Sequence, residues 1–597
     1  MRGRDVIIWL VCGFLTVGLL VAAGLHLDYI NAQREEMKLI SNEPLENAPP
    51  SLAFATVAMG AFRGLVVDVL WIRADKLKEE GQFFDAKQLA EWITMLQPRF
   101  ASVWEFHAWN MAYNISVTMP ASQPEQRWRW VKNGYELLRD KGIPLNPKSV
   151  QLYRELGWIF QQKIGGVTDD AHKYYKLQLA EAMEPLVGGA DNQYFEALVA
   201  APKQWEQIAG DPEVKPLIDA LKFADDKFES QSEFVDNYLS LRQNPHRFKT
   251  AAFEVIDEFR GTQALKRLDV FAKAFRLLNT WKLDPVLMHE INKTYGPIDF
   301  ADPNKRFPLD WRHADSHAIY WAVKALRVAA KEENREIDMY ETNTDRMVGQ
   351  SLQNLFRYGK ILIYDVPVEL QTQAAQEQGP AEETRTRREI FLRPDLRMFD
   401  PYNKAELAIL EKYKNDRGRS ESLRTGHRNM LRNAALVFYQ AGHKDQARTI
   451  YNELRKLYPM DDFKVPLDVY ARNRFIEELD SFGMQDATEQ ITAVLRESYY
   501  LYAIRSDDEA AGREKLAEEL YEHYRKTYSD EIRIDLPEMR WLRYAALIDF
   551  LNDQQHPLYL RRALLARMKI ERPDLYKQFE QVEEELRPAD GGQGAPG

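Results

Sequence analysis

At 597 residues the chain is longer than one ordinary hydrophobic core can serve, so it must form several domains or an extended array of repeats. Its net charge of -11 leaves no basic surplus to displace counterions from a phosphate backbone, which excludes nucleic acid as a general partner. Its single cysteine, Cys12, rules out an intrachain disulfide, a CxxC metal knuckle and a thiol nucleophile in the soluble part.

The first predicted element, Val6 to Leu27, carries no formal charge. As a helix of about 22 residues it rises roughly 33 Å, enough to cross a hydrocarbon core. Arg2 and Arg4 precede it, so it is a signal anchor or a cleaved signal peptide. It exceeds the usual cleavable apolar region of about 7–15 residues, and retention is the expectation. Arg34 and Lys38 on the far side nearly balance the basic residues before it, but the very short leading tail favours a cytoplasmic N terminus. The chain after residue 28 is then extracytoplasmic, on the outer side of the inner (cytoplasmic) membrane. Residues 29–50 form a juxtamembrane linker ending in prolines. A second apolar stretch, Leu52 to Ile72, is interrupted by Arg63 and Asp68, and a buried repeat helix suits it better than a second span.

Residues 51–188 carry a repeating frame. Val67, Leu70, Ala74, Leu77, Gly81, Ala86, Ala90, Ile93 and Pro98 make one unit. Ala101, Trp104, Ala108 and Met111 open a second, whose return helix is displaced by an insertion around Pro120 to Pro124. Val150, Tyr153, Leu156, Gly157 and Phe160 open a third, with a turn at Gly165-Gly166 and then Ala171 and Tyr175. Two antiparallel helices approach closely only where small residues sit at their crossing, and the alanines supply that position. The pattern resembles tetratricopeptide repeats, which cannot bury their apolar faces singly and therefore stack.

The middle region, 189–359, keeps a helical period, as in Phe253, Ile256 and Phe259, then Leu268, Phe271, Phe275 and Leu278. Asp310 or Ser316 is expected to cap a helix through Ile319, Trp321 and Leu326. Within it His313 and His317, four apart, share a face and are the candidate metal pair. No Glu lies between them, so the HExxH arrangement is absent, and the favoured reading is that Asp310 and Ser316 are helix caps with His317 in the first turn, partly buried beside Trp321. Residues 360–403 form a two-stranded ribbon, with strands at Ile361 to Val366 and Glu389 to Leu392 and a mobile loop over Gln371 to Arg388. A second repeat block spans 404–587. Its clearest unit runs from Arg428 to Pro459: Leu431, Ala434, Ala435 and Phe438 on one helix, a turn at Gly442, then Ala447, Tyr451 and Leu454. Residues 588–597 are a disordered tail.

The resemblance implies that the first helix of each hairpin lines a concave groove. Carried onto this sequence, it places Trp71, Asp75, Glu105, Trp109, Tyr113, Arg154 and Trp158 on that surface. The set departs from the Lys/Asn/Arg clamp with which some such repeats hold a C-terminal carboxylate. Tryptophans among charges make adhesive surfaces, although another part of the same chain could fill the groove.

Trp71, Ala74-Asp75-Lys76-Leu77, Gln97-Pro98-Arg99-Phe100, Trp104-Glu105-Phe106, Trp109 to Asn114, Asp310-Trp311-Arg312 and His317 to Trp321 resemble a family of uncharacterised bacterial membrane-anchored proteins. That resemblance implies an exported tetratricopeptide-like domain and no established activity. No GxSxG elbow, Walker loop or glycine-rich fingerprint appears, and no cofactor is expected. The expectation is an all-α, non-enzymatic scaffold that holds a protein partner in an envelope assembly. A polysaccharide-binding or export accessory module and a metal-dependent enzyme built on His313 and His317 are the alternatives.

Overall fold

The computed structural model describes residues 63–241, 243–300, 302, 304–331, 339–367, 386–479, 484–527, 537–553 and 556–586, with 14–16, 18–19 and 29 near the start of the chain. The predicted membrane segment lies almost wholly outside the described residues, as do the linker, the ribbon loop through Arg385 and the tail. Among the described residues no helix is long and apolar enough to cross a membrane. The fold is mostly helical, as the apolar periodicity requires. Two compact units emerge, one comprising the chain up to Ile159 with Lys324–Glu341, the other Phe160–Val323 with the chain from Thr342 onward.

In the first unit α1 (Arg63–Glu79) and α2 (Phe83–Leu96) form a hairpin. Ala74, Ala86 and Ala90 are fully buried at the contact, and Val67 and Ile93 lie beside them. Gly81 makes the turn at φ +77°, and the Gln82 amide donates to the Leu77 carbonyl at 2.8 Å. That left-handed residue with a backward bond is how a helix end satisfies its last carbonyls. Next comes α3 (Ala101–Trp109), which runs into a wide π-helical turn at Asn110–Ile115. Asn110 Nδ2 donates to the Phe83 carbonyl at 2.9 Å, tying that turn to the start of α2.

The insertion at Pro120 ends where α4 (Pro124–Leu137) begins, with proline in its first turn, where the missing amide costs nothing. Gly134 sits where α4 meets α3, and a Cβ there would lie 2.8 Å from the Ala108 carbonyl oxygen. The third helix opening, α5 (Val150–Trp158), is capped by Ser149 Oγ, which accepts the Leu152 amide at 3.4 Å.

In the second unit α6 (His172–Val187) receives the ribbon. Leu177 and Ala180 pack with Ile390, Ile361, Ile363 and Leu392. The ribbon pairs β1 (Lys360–Pro367) with β2 (Thr386–Arg393) antiparallel, Lys360 opposite Arg393 and Pro367 opposite Thr386. The second strand therefore begins three residues before Glu389. Thr386, Arg387 and Arg388, read from composition as loop, continue the ladder, and Arg388 reaches Glu181 on α6 at 3.2 Å. The middle region closes around Trp205, Phe228, Phe234 and Phe271.

The helix predicted near Ile319, α7, spans Ala314–Ala329. Its start differs from expectation. His313 Nδ1, not an Asp310 or Ser316 oxygen, accepts the Asp315 amide, at 3.2 Å. Asp310 is engaged by Arg312 instead, and Ser316 Oγ donates to the Asp310 carbonyl at 2.7 Å. Further on, α8 (Arg417–Gln440) and α9 (Lys444–Leu457) make the hairpin read from Leu431 to Leu454. Every apolar position named there is buried. Gly442, at φ +82°, turns it with the His443 amide donating to the Phe438 carbonyl at 3.0 Å, the same closure as at Gly81. The helix itself starts at Arg417, well before Arg428, because Asp416 accepts the Arg419 amide and caps it there.

Candidate functional site

The packing of α3 beside α5 brings together part of the predicted groove. Arg154 lies 3.8 Å from Glu105 and 3.7 Å from Glu155, distances of ion pairs without close hydrogen bonds. Gln151 Nε2 donates to Glu105. The π-helical turn after α3 sets Trp109 and Tyr113 face to face, with centroids 5.5 Å apart and planes at 21°. The Arg154 guanidinium also lies over the Tyr340 ring at 5.7 Å. Trp109, Tyr113 and Arg154 are each half-buried.

Trp71 and Asp75 make a separate patch. Trp71 leans on Phe100 and Phe106, at 5.8 and 5.1 Å, and on the cluster of Val67, Ile93 and Val103. Asp75 pairs with Lys78 at 2.9 Å, and Lys78 lies over Phe106 at 5.4 Å. Trp158 ends α5 and is half-buried.

Glu155 was not among the residues expected here. It interrupts the stripe Leu152, Tyr153, Leu156, and an acid inside an apolar stripe was the available signal. It is 3% exposed. Burial, then the neighbouring Glu105 charge, pushes its carboxyl up to about 7 despite Arg154. Burial likewise raises Glu105, against the opposing pull of Gln151 and Arg154. Burial and then Glu155 raise the Tyr113 hydroxyl well above its ordinary range. Two carboxyls therefore share one guanidinium, and desolvation outweighs attraction. Glu155 Oε1 and Arg154 Nε are buried with no hydrogen-bond partner among the described residues. Such atoms are rare in folded proteins, where buried polar groups are normally satisfied. The cluster carries one acid in excess, and chemically it suits a cationic donor arriving beside an aromatic face.

His313 and His317 are both buried. His313 Nε2 donates to the Tyr358 carbonyl at 3.1 Å, and burial holds the ring neutral, pushed down to about 4. With Nδ1 accepting the Asp315 amide, both nitrogens are engaged. His317 Nε2 donates to the Trp311 carbonyl at 3.0 Å, and its ring stacks on Phe160 at 4.8 Å. Among the described residues no group of three or more His, Cys, Asp or Glu is placed to hold a metal.

A second buried charged cluster was also missed. Lys163 and Asp169 lie 2.6 Å apart, both nearly inaccessible, and Asp169 also accepts from the Ala171 amide at 2.9 Å and the Tyr175 hydroxyl at 3.3 Å. No family model matches the chain, and a search of curated proteins returns no match.

Proposed function

We propose that the chain is a membrane-anchored, extracytoplasmic helical-repeat scaffold of the tetratricopeptide-like kind its sequence resembles, and that its first unit holds a protein partner through the Glu105, Trp109, Tyr113, Arg154 and Glu155 face. The anchor is Val6 to Leu27, with the N terminus cytoplasmic. The observation that carries the reading is the excess buried carboxyl: Glu155 Oε1 lacks a donor among the described residues, beside a guanidinium shared at 3.7 and 3.8 Å between Glu155 and Glu105. A lysine or arginine of the partner would supply that donor and would meet the stacked Trp109–Tyr113 pair on its way in. Cations over aromatic faces gain about 0.5–2 kcal/mol, more as water is excluded. Helical hairpins suit such work because they present rigid, extended faces, and an anchor confines the search to the membrane surface.

A photo-crosslinking residue at position 109 of the full chain, expressed in native membranes, tests this. The control is the same residue at Phe223, which is 96% exposed in the other unit. A discrete protein adduct at position 109 and none at 223 is expected. Adducts that are identical at both positions, or whose added mass is glycan rather than peptide, contradict it.

A further inference from the structure

The second unit contains an open cavity of about 620 Å³ between the start of α8 and the end of α9. Arg417, Glu421, Arg424 and Arg428 line it, spaced four, three and four along α8, which places them on one helix face. Among the described residues none of these three arginines has a carboxylate within ion-pair distance, although Arg419 beside them pairs with Asp416 at 3.3 Å. Arg428 Nε is buried and without an acceptor, while its Nη1 meets only the Met460 sulfur at 3.6 Å. Sulfur is a weak acceptor, so that guanidinium is under-used. In a chain of net charge -11, three guanidiniums left unneutralised on one face are unusual.

The wall behind them is fixed. The Arg424 guanidinium lies over the Tyr458 ring at 5.5 Å. Tyr458 is held by a relay. Its hydroxyl donates to His427 Nδ1 at 2.8 Å, His427 Nε2 donates to Asn403 Oδ1 at 2.7 Å, and Asn403 Nδ2 donates to Glu453 at 3.1 Å. Burial, then Arg424, pushes His427 down to about 4, so the ring stays neutral and the donor order is maintained. A supporting layer of this kind locks the contacting side chains in place before a ligand arrives.

We propose that this cavity binds a phosphate ester, its phosphoryl oxygens gripped by Arg424 and Arg428 with Arg417 at the rim. Planar guanidiniums match phosphate oxygens in pairs, and lysine does not. Ser420 and Thr425 also line the cavity and offer hydroxyl donors. Glu421 is the single acid among the face residues and is placed to accept from a hydroxyl of the same ligand. The volume falls in the range of about 300–1,000 Å³ used for organic ligands, so an ester fits better than a bare phosphate ion. The same chemistry is presented by a soluble ester and by a phospholipid headgroup.

Calorimetric titration of the detergent-solubilised full chain with glycerol 3-phosphate, at ionic strength matched with chloride, addresses the soluble source. Flotation of the full chain with phosphatidylglycerol vesicles, against phosphatidylcholine vesicles, addresses the headgroup. Binding in either arm that weakens at least about tenfold in Arg424→Gln/Arg428→Gln supports the site. Arg417→Gln, at an exposed position that cannot unfold the helix, is expected to weaken the same arm by a few-fold, and Arg419→Gln to leave it unchanged. No binding in either arm, or equal loss in Arg419→Gln and Arg417→Gln, overturns it.

Discussion

The two buried charged clusters differ in how completely they are satisfied. At Lys163–Asp169 the carboxylate receives an ammonium, an amide and a hydroxyl, and the pair is closed to solvent. At Glu105–Arg154–Glu155 one guanidinium stands at long distance from two acids, and two buried atoms have no partner. Both clusters cost desolvation energy. The first recovers it internally, as a structural pair does, whereas the second recovers it only in part, through the Gln151 donation to Glu105, and leaves Glu155 Oε1 without a donor among the described residues. The two clusters therefore differ in whether the chain itself supplies the partners that the buried charges need.

The largest effect should come from breaking the satisfied cluster. Asp169→Ala strands the Lys163 ammonium in the interior and is expected to destabilise the chain by about 3–5 kcal/mol in denaturant unfolding. Glu155→Gln, by contrast, should be neutral or stabilising, and an equal loss for both would erase the distinction.

Steric tests come next. Gly134→Ala drives a Cβ to 2.8 Å from a backbone oxygen, and a loss of about 1–3 kcal/mol is expected, read in the same unfolding experiment. Gly442→Ala and Gly81→Ala both force a side chain into left-handed backbone, costing about 1–2 kcal/mol. The loss at Gly442 should be larger, because its Cβ would also meet the Asp508 carbonyl at 3.3 Å, while at Gly81 nothing lies within 4 Å.

A further test is a pH slope. The Glu155 carboxyl titrates near 7 in the folded chain against an ordinary value of 4.5. Between those values the folded state holds a proton that the unfolded chain has released. Glu155 therefore lowers stability as pH rises through that window, and its penalty is complete above the folded value. Glu155→Gln should flatten this part of the stability profile. A slope identical in wild type and variant would mean that the carboxyl is not desolvated.

Much of the hairpin architecture was legible because two simple signals agree there. Gly81 and Gly442 stand where the left-handed turn must fall, and Ala74, Ala86, Ala435 and Ala447 stand where helices cross. Other features depend on contacts distant in sequence. The π-helical turn that stacks Trp109 on Tyr113 is tied to Phe83 through Asn110, which no local periodicity reveals. Arg387 and Arg388 have the composition of a loop, yet they lie in β2 because Val366 and Asp365 pair with them. His313 caps α7 through a ring nitrogen, a role shared with no standard capping residue. Of the residues expected to line the groove, Glu105, Trp109, Tyr113 and Arg154 come together, whereas Trp71 packs on Phe100 and Phe106, aromatics that the repeat frame did not weigh.

The most direct measurement is the affinity of the protein captured at position 109 for the full chain and for Glu105→Gln/Glu155→Gln, by calorimetry, with helicity checked by circular dichroism. Removing both acids while keeping the fold is expected to weaken binding at least about tenfold, because the partner's cation loses its acceptors. Unchanged affinity in a folded variant would contradict the assignment of this face as the recognition surface.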